Sequence, residues 1–142
     1  MREEPIAVVG AGPAGCAAAA QCARLGVAPA VLDRAGRAGG LVESGFLVES
    51  YPGLERPIRG ADLAERFARH LARFGVAVEA RRATRVAANG SGWTIETDRG
   101  PIAARSVIVA CGSRPAPFEL PGERSVGEDR VFREEIGRAS CR

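Results

Sequence analysis

The chain has 142 residues, 46% of them hydrophobic and 26% charged, which fits an ordinary globular protein with room for one compact domain. Its net charge of +3 comes from 20 basic residues, all arginine, interleaved with acids as in "AERFARHLARF". That is the pattern of a solvated helix face, and it excludes a basic stripe for nucleic acid. The longest apolar stretch is broken by Gly10, Gly12 and Gly15, so it does not read as a membrane span. The charged Met1-Arg2-Glu3-Glu4 leads straight into the first apolar run, so no signal peptide is expected and the cytoplasm is the expected location.

Residues 6–9 form a short apolar run between Pro5 and Gly10, the pattern of a buried strand. Pro13 suits the first turn of a helix, which runs to about Leu25 and stops at Gly26. A second strand over residues 30–32 ends at Asp33, completing one βαβ unit of about 30 residues. Residues 34–60 read as irregular. The helical period returns over 61–74, with Leu63, Phe67, Leu71 and Phe74 in one stripe and Gly75 as the stop. Residues 76–79 read as a third strand. "TRVAA", "WTIET" and "PIAAR", separated by "NGSG" and "DRG", then read as an antiparallel meander, and "SVIVACG" as a separate buried strand. Trp93 is expected in the meander core and His70 on an exposed helix face. The fold class expected is α/β: a Rossmann-like parallel sheet with a GxGxxG βαβ unit and a three-stranded antiparallel β-meander, truncated at its C-terminus.

Gly10, Gly12 and Gly15 form G-x-G-x-x-G between a strand and a helix, the context in which that spacing holds a pyrophosphate. The first glycine permits a tight turn, the second lets the backbone approach the ligand, and the third lets helix and strand pack closely. The helix start adds unpaired N–H groups and a positive dipole end. Asp33, about 18 residues after Gly15, can accept hydrogen bonds from both ribose hydroxyls and would repel a 2′-phosphate. The glycine motif leaves NAD and FAD open. A plain NAD domain would continue with helical crossovers, whereas this chain turns into a meander.

That layout, with "VVGAGPAG", "AGGLVESGFLVESYPG", "VIVACGSRP" and "LPGE" in order, resembles the FAD domain of the two-dinucleotide-binding (class II) pyridine nucleotide-disulfide oxidoreductases, and most of all the thioredoxin reductase family. The resemblance covers residues 5 to about 134. It implies that Gly10, Ala11, Gly12, Pro13, Ala14 and Gly15 hold the FAD pyrophosphate, with Asp33 and Arg34 at the adenosine ribose. It places Gly39, Gly40 and Leu41 beside the flavin side and Ala83 against the adenine through its backbone. Ala110, Cys111 and Gly112 would close over the diphosphate. Ser50 stands where the family commonly has Asn, and Cys111 where it has Thr.

The function so implied is hydride passage from NAD(P)H, bound in a further domain, through FAD to an acceptor. Alternatives of the same fold are an FAD-dependent monooxygenase, a ferredoxin-type reductase, or a non-catalytic dinucleotide-binding module. No residue here reads as a catalytic acid, base or nucleophile, and none as a metal ligand. Cys16, Cys22, Cys111 and Cys141 form no Cys-x-x-Cys, and Cys16 and Cys22 do not share a helix face. They read as small buried thiols. Some disulfide reductases carry redox cysteines just after the second Gly-Gly, where "GGLVESGF" has none. Thioredoxin reductases place theirs shortly after "PGE", where Glu134 stands. A cysteine-less branch is therefore expected, with a small molecule or small redox protein as acceptor. The resemblance further implies a homodimer at full length, with neither nucleic-acid nor membrane partners. The closing "EIGRASCR" reads as the in-frame translation of a sequencing adapter. Residues 1–134 are accordingly expected to be the N-terminal segment of an FAD-binding domain, inactive alone, and 135–142 to be non-native.

Overall fold

The computed structural model describes residues 2–113. Its strands are Arg2–Val9 (β1), Pro29–Asp33 (β2), Val78–Ala80 (β3), Ala83–Ala88 (β4), Trp93–Thr97 (β5) and Ile102–Val109 (β6), and its α-helices are Pro13–Arg24 (α1) and Gly60–Arg73 (α2). The six strands form one sheet in the order β3-β2-β1-β6-β5-β4. β1 pairs in parallel with β2 and β6, and β2 with β3, while β4–β5 and β5–β6 are antiparallel. This is the expected Rossmann-like parallel sheet with an antiparallel meander.

Strand alternation divides the core in two. Val8, Val31 and Ile108, aligned across β1, β2 and β6, point towards α1 and α2 and pack with Ala19, Ala20, Phe67 and Leu71. Ala7, Leu32 and Val107 point to the opposite face and pack with Ile95, Ile102 and Ala104 of the meander. Both faces of β1 are thus covered, which is why its sequence is an unbroken apolar run instead of an alternating one. α2 turns its Leu63–Phe67–Leu71 stripe inward, with Leu63 and Leu71 fully buried. α1 starts at Gly12-Pro13, and the left-handed Gly26 (φ +79°) follows its end, as a helix stop requires.

Four expectations need correction. "PIAAR" and "SVIVACG" are not two strands: β6 is continuous, antiparallel to β5 and parallel to β1 at once. The polar Arg105-Ser106 suggested a break, but both residues lie exposed within the strand. Trp93 is 40% exposed. It shares a face with Ile95 but stands at the end of β5, where its registered neighbours Ala88 and Ala104 are too small to cover the indole. The third strand is β3, two residues further on than the start expected for it. Finally, residues 34–60 contain a 3-10 helix, Gly40–Ser44, and a bridge between Val48 and Ile58. His70 is exposed as expected. The "LPGE" motif, Glu134, Cys141 and the adapter-like residues 135–142 lie outside the described residues.

Candidate functional site

The C-terminal ends of β1, β2 and β6 converge on the glycine turn. Gly10 sits at φ +102°, a conformation open to glycine, and its N–H donates to the Leu32 carbonyl at 2.8 Å. A Cβ on Gly10 would strike the Ala110 carbonyl oxygen, and one on Gly15 the Gly10 carbonyl oxygen. Those two glycines are required by packing alone.

Gly12 is different. Its φ of −70° is available to any residue, and among the described residues a Cβ there would meet nothing within 4 Å. Among the described residues no group accounts for a glycine at this position, the place where a G-x-G-x-x-G turn lets a ligand approach the backbone. Around Gly12 the first turn of α1 offers the N–H groups of Ala14 and Gly15, which have no intrahelical partner. Pro13, at the first helical position, has no N–H to leave unpaired, and its fixed φ suits the helix start. A dinucleotide pyrophosphate fits the cradle.

Asp33, half-buried at the end of β2, binds the same turn. Its Oδ2 accepts the N–H of Ala11 at 3.0 Å and its Oδ1 that of Ala35 at 2.8 Å. The Asp33 carbonyl accepts the Arg81 N–H at 3.0 Å, which brings the β3–β4 turn, and Ala83 just beyond it, to the same end of the sheet. Arg34 points to solvent.

Gly39 and Gly40 form the third wall. The Gly39 N–H donates to the Ala11 carbonyl at 2.8 Å, and a Cβ on Gly40 would approach the Gly12 Cα to 3.0 Å. Leu41 is half-exposed. Ala110 anchors the fourth side, its N–H donating to the Val9 carbonyl at 2.8 Å, with Cys111 beside Gly10. Of the residues singled out in the sequence, the glycine turn, Asp33, Gly39, Gly40, Ala110 and Cys111 thus come together. Leu41, Ala83, Arg34 and Gly112 flank them and make no hydrogen bond to the turn.

Cys16 is buried under the turn, its thiol donating to the Ala11 carbonyl at 3.2 Å. Burial pushes that thiol up to about 11, Asp33 adds to the rise, and the Gly39 N–H partly opposes it. It is an inert donor at neutral pH. Among the described cysteines the expectation of buried thiols holds for Cys16, whereas Cys22 is half-buried and Cys111 exposed. Sequence reasoning missed Gly60 and Ala64. A Cβ on Gly60 would strike the Val42 carbonyl, and Ala64 lies against Gly39, so these small residues let α2 press the Gly39-Gly40 wall onto the turn. The juxtaposed small residues of "GADLA" were the available signal. Among the described residues no group of His, Cys, Asp or Glu could hold a metal ion, and no helix is long and apolar enough to cross a membrane.

A glycine turn at the parallel strand ends, an acid at the end of β2 and a meander beyond define a Rossmann-like α/β domain. Over residues 4–139 the chain matches the family described as pyridine nucleotide-disulphide oxidoreductase, and it belongs to that family. It is 35% identical over 118 residues to a thioredoxin reductase of Helicobacter pylori, a match covering 82% of this chain and 38% of that protein. It superimposes on the crystal structure of T. acidophilum thioredoxin reductase with a TM-score of 0.78 at 34% identity, covering 87% of this chain and 40% of that one. A ferredoxin-flavin thioredoxin reductase from Clostridium acetobutylicum superimposes with a TM-score of 0.73 at 29% identity, over 88% of this chain and 43% of that one. The chain therefore spans about two-fifths of the relatives it matches, and it is thioredoxin reductase-like over that span.

Proposed function

We propose that the chain is the N-terminal FAD-binding segment of an NAD(P)H-dependent flavoprotein oxidoreductase. The observation that carries this reading is Gly12, a glycine with ordinary φ at the start of α1, where among the described residues nothing would meet a side chain. The amides of Gly12, Ala14 and Gly15 would hold the pyrophosphate, and Asp33 the adenosine ribose with Arg34 beside it. Ala83 would meet the adenine, Gly39 to Leu41 would flank the flavin side, and Ala110 to Gly112 would close the diphosphate side. FAD, when bound, supplies hydride acceptance and electron transfer. The chain's own residues bind and orient it.

The NAD(P)H site, the homodimer and a cytoplasmic setting belong to the longer protein on this reading. The 3-10 helix Gly40–Ser44 carries no cysteine, which favours an acceptor other than a disulfide beside the flavin. A second reading, with a ferredoxin as electron donor, draws on the likeness to the ferredoxin-flavin enzyme. Reduction of the longer flavoprotein by NADPH, NADH or reduced ferredoxin separates the two.

The first test is titration of the full chain with FAD, NAD and NADPH, followed by calorimetry and flavin fluorescence. FAD should bind more tightly than either nicotinamide dinucleotide, and substitution of Gly12 by Ala should weaken it. Preference for a nicotinamide dinucleotide would overturn the assignment.

A further inference from the structure

The two peptide groups that flank Ala11 are both held by groups of the chain itself. The Ala11 carbonyl accepts the Gly39 N–H and the Cys16 thiol, and its N–H donates to Asp33 Oδ2. The Ala11 carbonyl shares its peptide plane with the Gly12 N–H, so the bonds from Gly39 and Cys16 fix that peptide, while Asp33 fixes the Gly10–Ala11 peptide before it. The Ala11 N–H is spent on a carboxylate and leaves the anion to the amides further along.

An acid beside an anion site carries a cost, because like charges repel even at a surface dielectric. The gain that offsets this is geometric. The Asp33 side chain spans from the β2 end to the turn, accepting Ala35 N–H with one oxygen and Ala11 N–H with the other. Charge-assisted bonds of this kind are among the stronger ones available. A carboxylate has about four acceptor positions, so both bonds leave room for ribose hydroxyls.

We propose that Asp33 is a positioning residue for the phosphate cradle, holding the Gly10–Gly12 turn in its binding geometry before any ligand arrives, in addition to any role at a ribose. This rests on the dinucleotide reading above and specifies how its site is built.

The test compares the full chain with its Asp33→Ala variant, using FAD and inorganic pyrophosphate as separate ligands. Pyrophosphate has no ribose, and loss of a neighbouring negative charge would by itself tighten it. Positioning therefore has the opposite sign: FAD and pyrophosphate should both weaken, by about tenfold or more, and amide hydrogen exchange at Ala11 and Gly12 should accelerate in the ligand-free variant. Unchanged or tighter pyrophosphate binding would overturn the proposal and leave Asp33 a ribose contact only.

Should the variant not fold, the unmodified chain still decides. Its Ala11 amide should exchange with solvent more slowly than the Ala14 and Gly15 amides of the ligand-free turn, and an Ala11 amide that exchanges as fast as theirs would overturn the proposal. If the unmodified chain fails to bind FAD, the functional reading falls, while the Ala11 amide still reports on Asp33.

Discussion

The carbonyl oxygen of Gly10 occupies the space that a Cβ on Gly15 would fill. The strand end and the first turn of α1 are therefore in close backbone approach, as near as two glycines allow. Substitution of Gly15 by Ala should cost about 2 kcal/mol or more, since the clash is with backbone and cannot be relieved by a rotamer. Gly12→Ala should cost less than about 1 kcal/mol, the effect of a poorer N-cap, yet weaken FAD binding more than its loss of stability explains. Thermal melts with and without FAD for both variants would check this; equal destabilisation by the two would contradict it.

Cys16 ties stability to alkaline pH. Its thiol ordinarily titrates at 9.0 and is raised to about 11 in the folded chain. The unfolded chain thus loses this proton first as pH rises, so the contribution is fully present below about 9 and is lost between about 9 and 11. On the order of 2 kcal/mol is at stake. Denaturation midpoints across that range should fall, and the fall should be smaller in Cys16→Ser.

The same burial sets an order of reactivity. Cys111 is exposed, Cys22 half-buried and Cys16 buried. Alkylation of the native chain followed by peptide mapping should show Cys111 modified before Cys22, and Cys16 only on unfolding.

Leu71 is 1% exposed and joins α2 to the helix-side core. Leu71→Ala should destabilise by about 2–5 kcal/mol. Because α2 also presses Ala64 against Gly39, FAD affinity should fall with it, measurable by titration at a temperature where the variant remains folded.

The chain contains one tryptophan, and with Trp93 40% exposed its fluorescence should be red-shifted and quenched by iodide. A blue, iodide-resistant emission would place the indole in the core.

Much of this fold was legible because its signals are local. The apolar run of β1, Pro13 at the helix start, Gly26 after its end and the Leu63–Leu71 stripe each follow from one segment's own chemistry. The glycine turn was legible too, since G-x-G-x-x-G has meaning only between a strand and a helix, and both were visible. Arg105-Ser106 misled because a polar pair breaks a strand in sequence but not in a sheet with an open face. Trp93 misled because the size of its cross-strand partners, Ala88 and Ala104, is a matter of register.

The sequence by itself determined the parallel βαβ unit, the glycine turn and the acid at the end of the second strand, because spacing and residue type act over a few residues. Only the tertiary structure decided that Gly10 and Gly15 are demanded by packing while Gly12 is open, and that Asp33 grips the Ala11 amide. Those facts depend on what residues 35, 39 and 110 bring to the turn from distant parts of the chain, and close approach between backbones leaves no periodicity in a sequence.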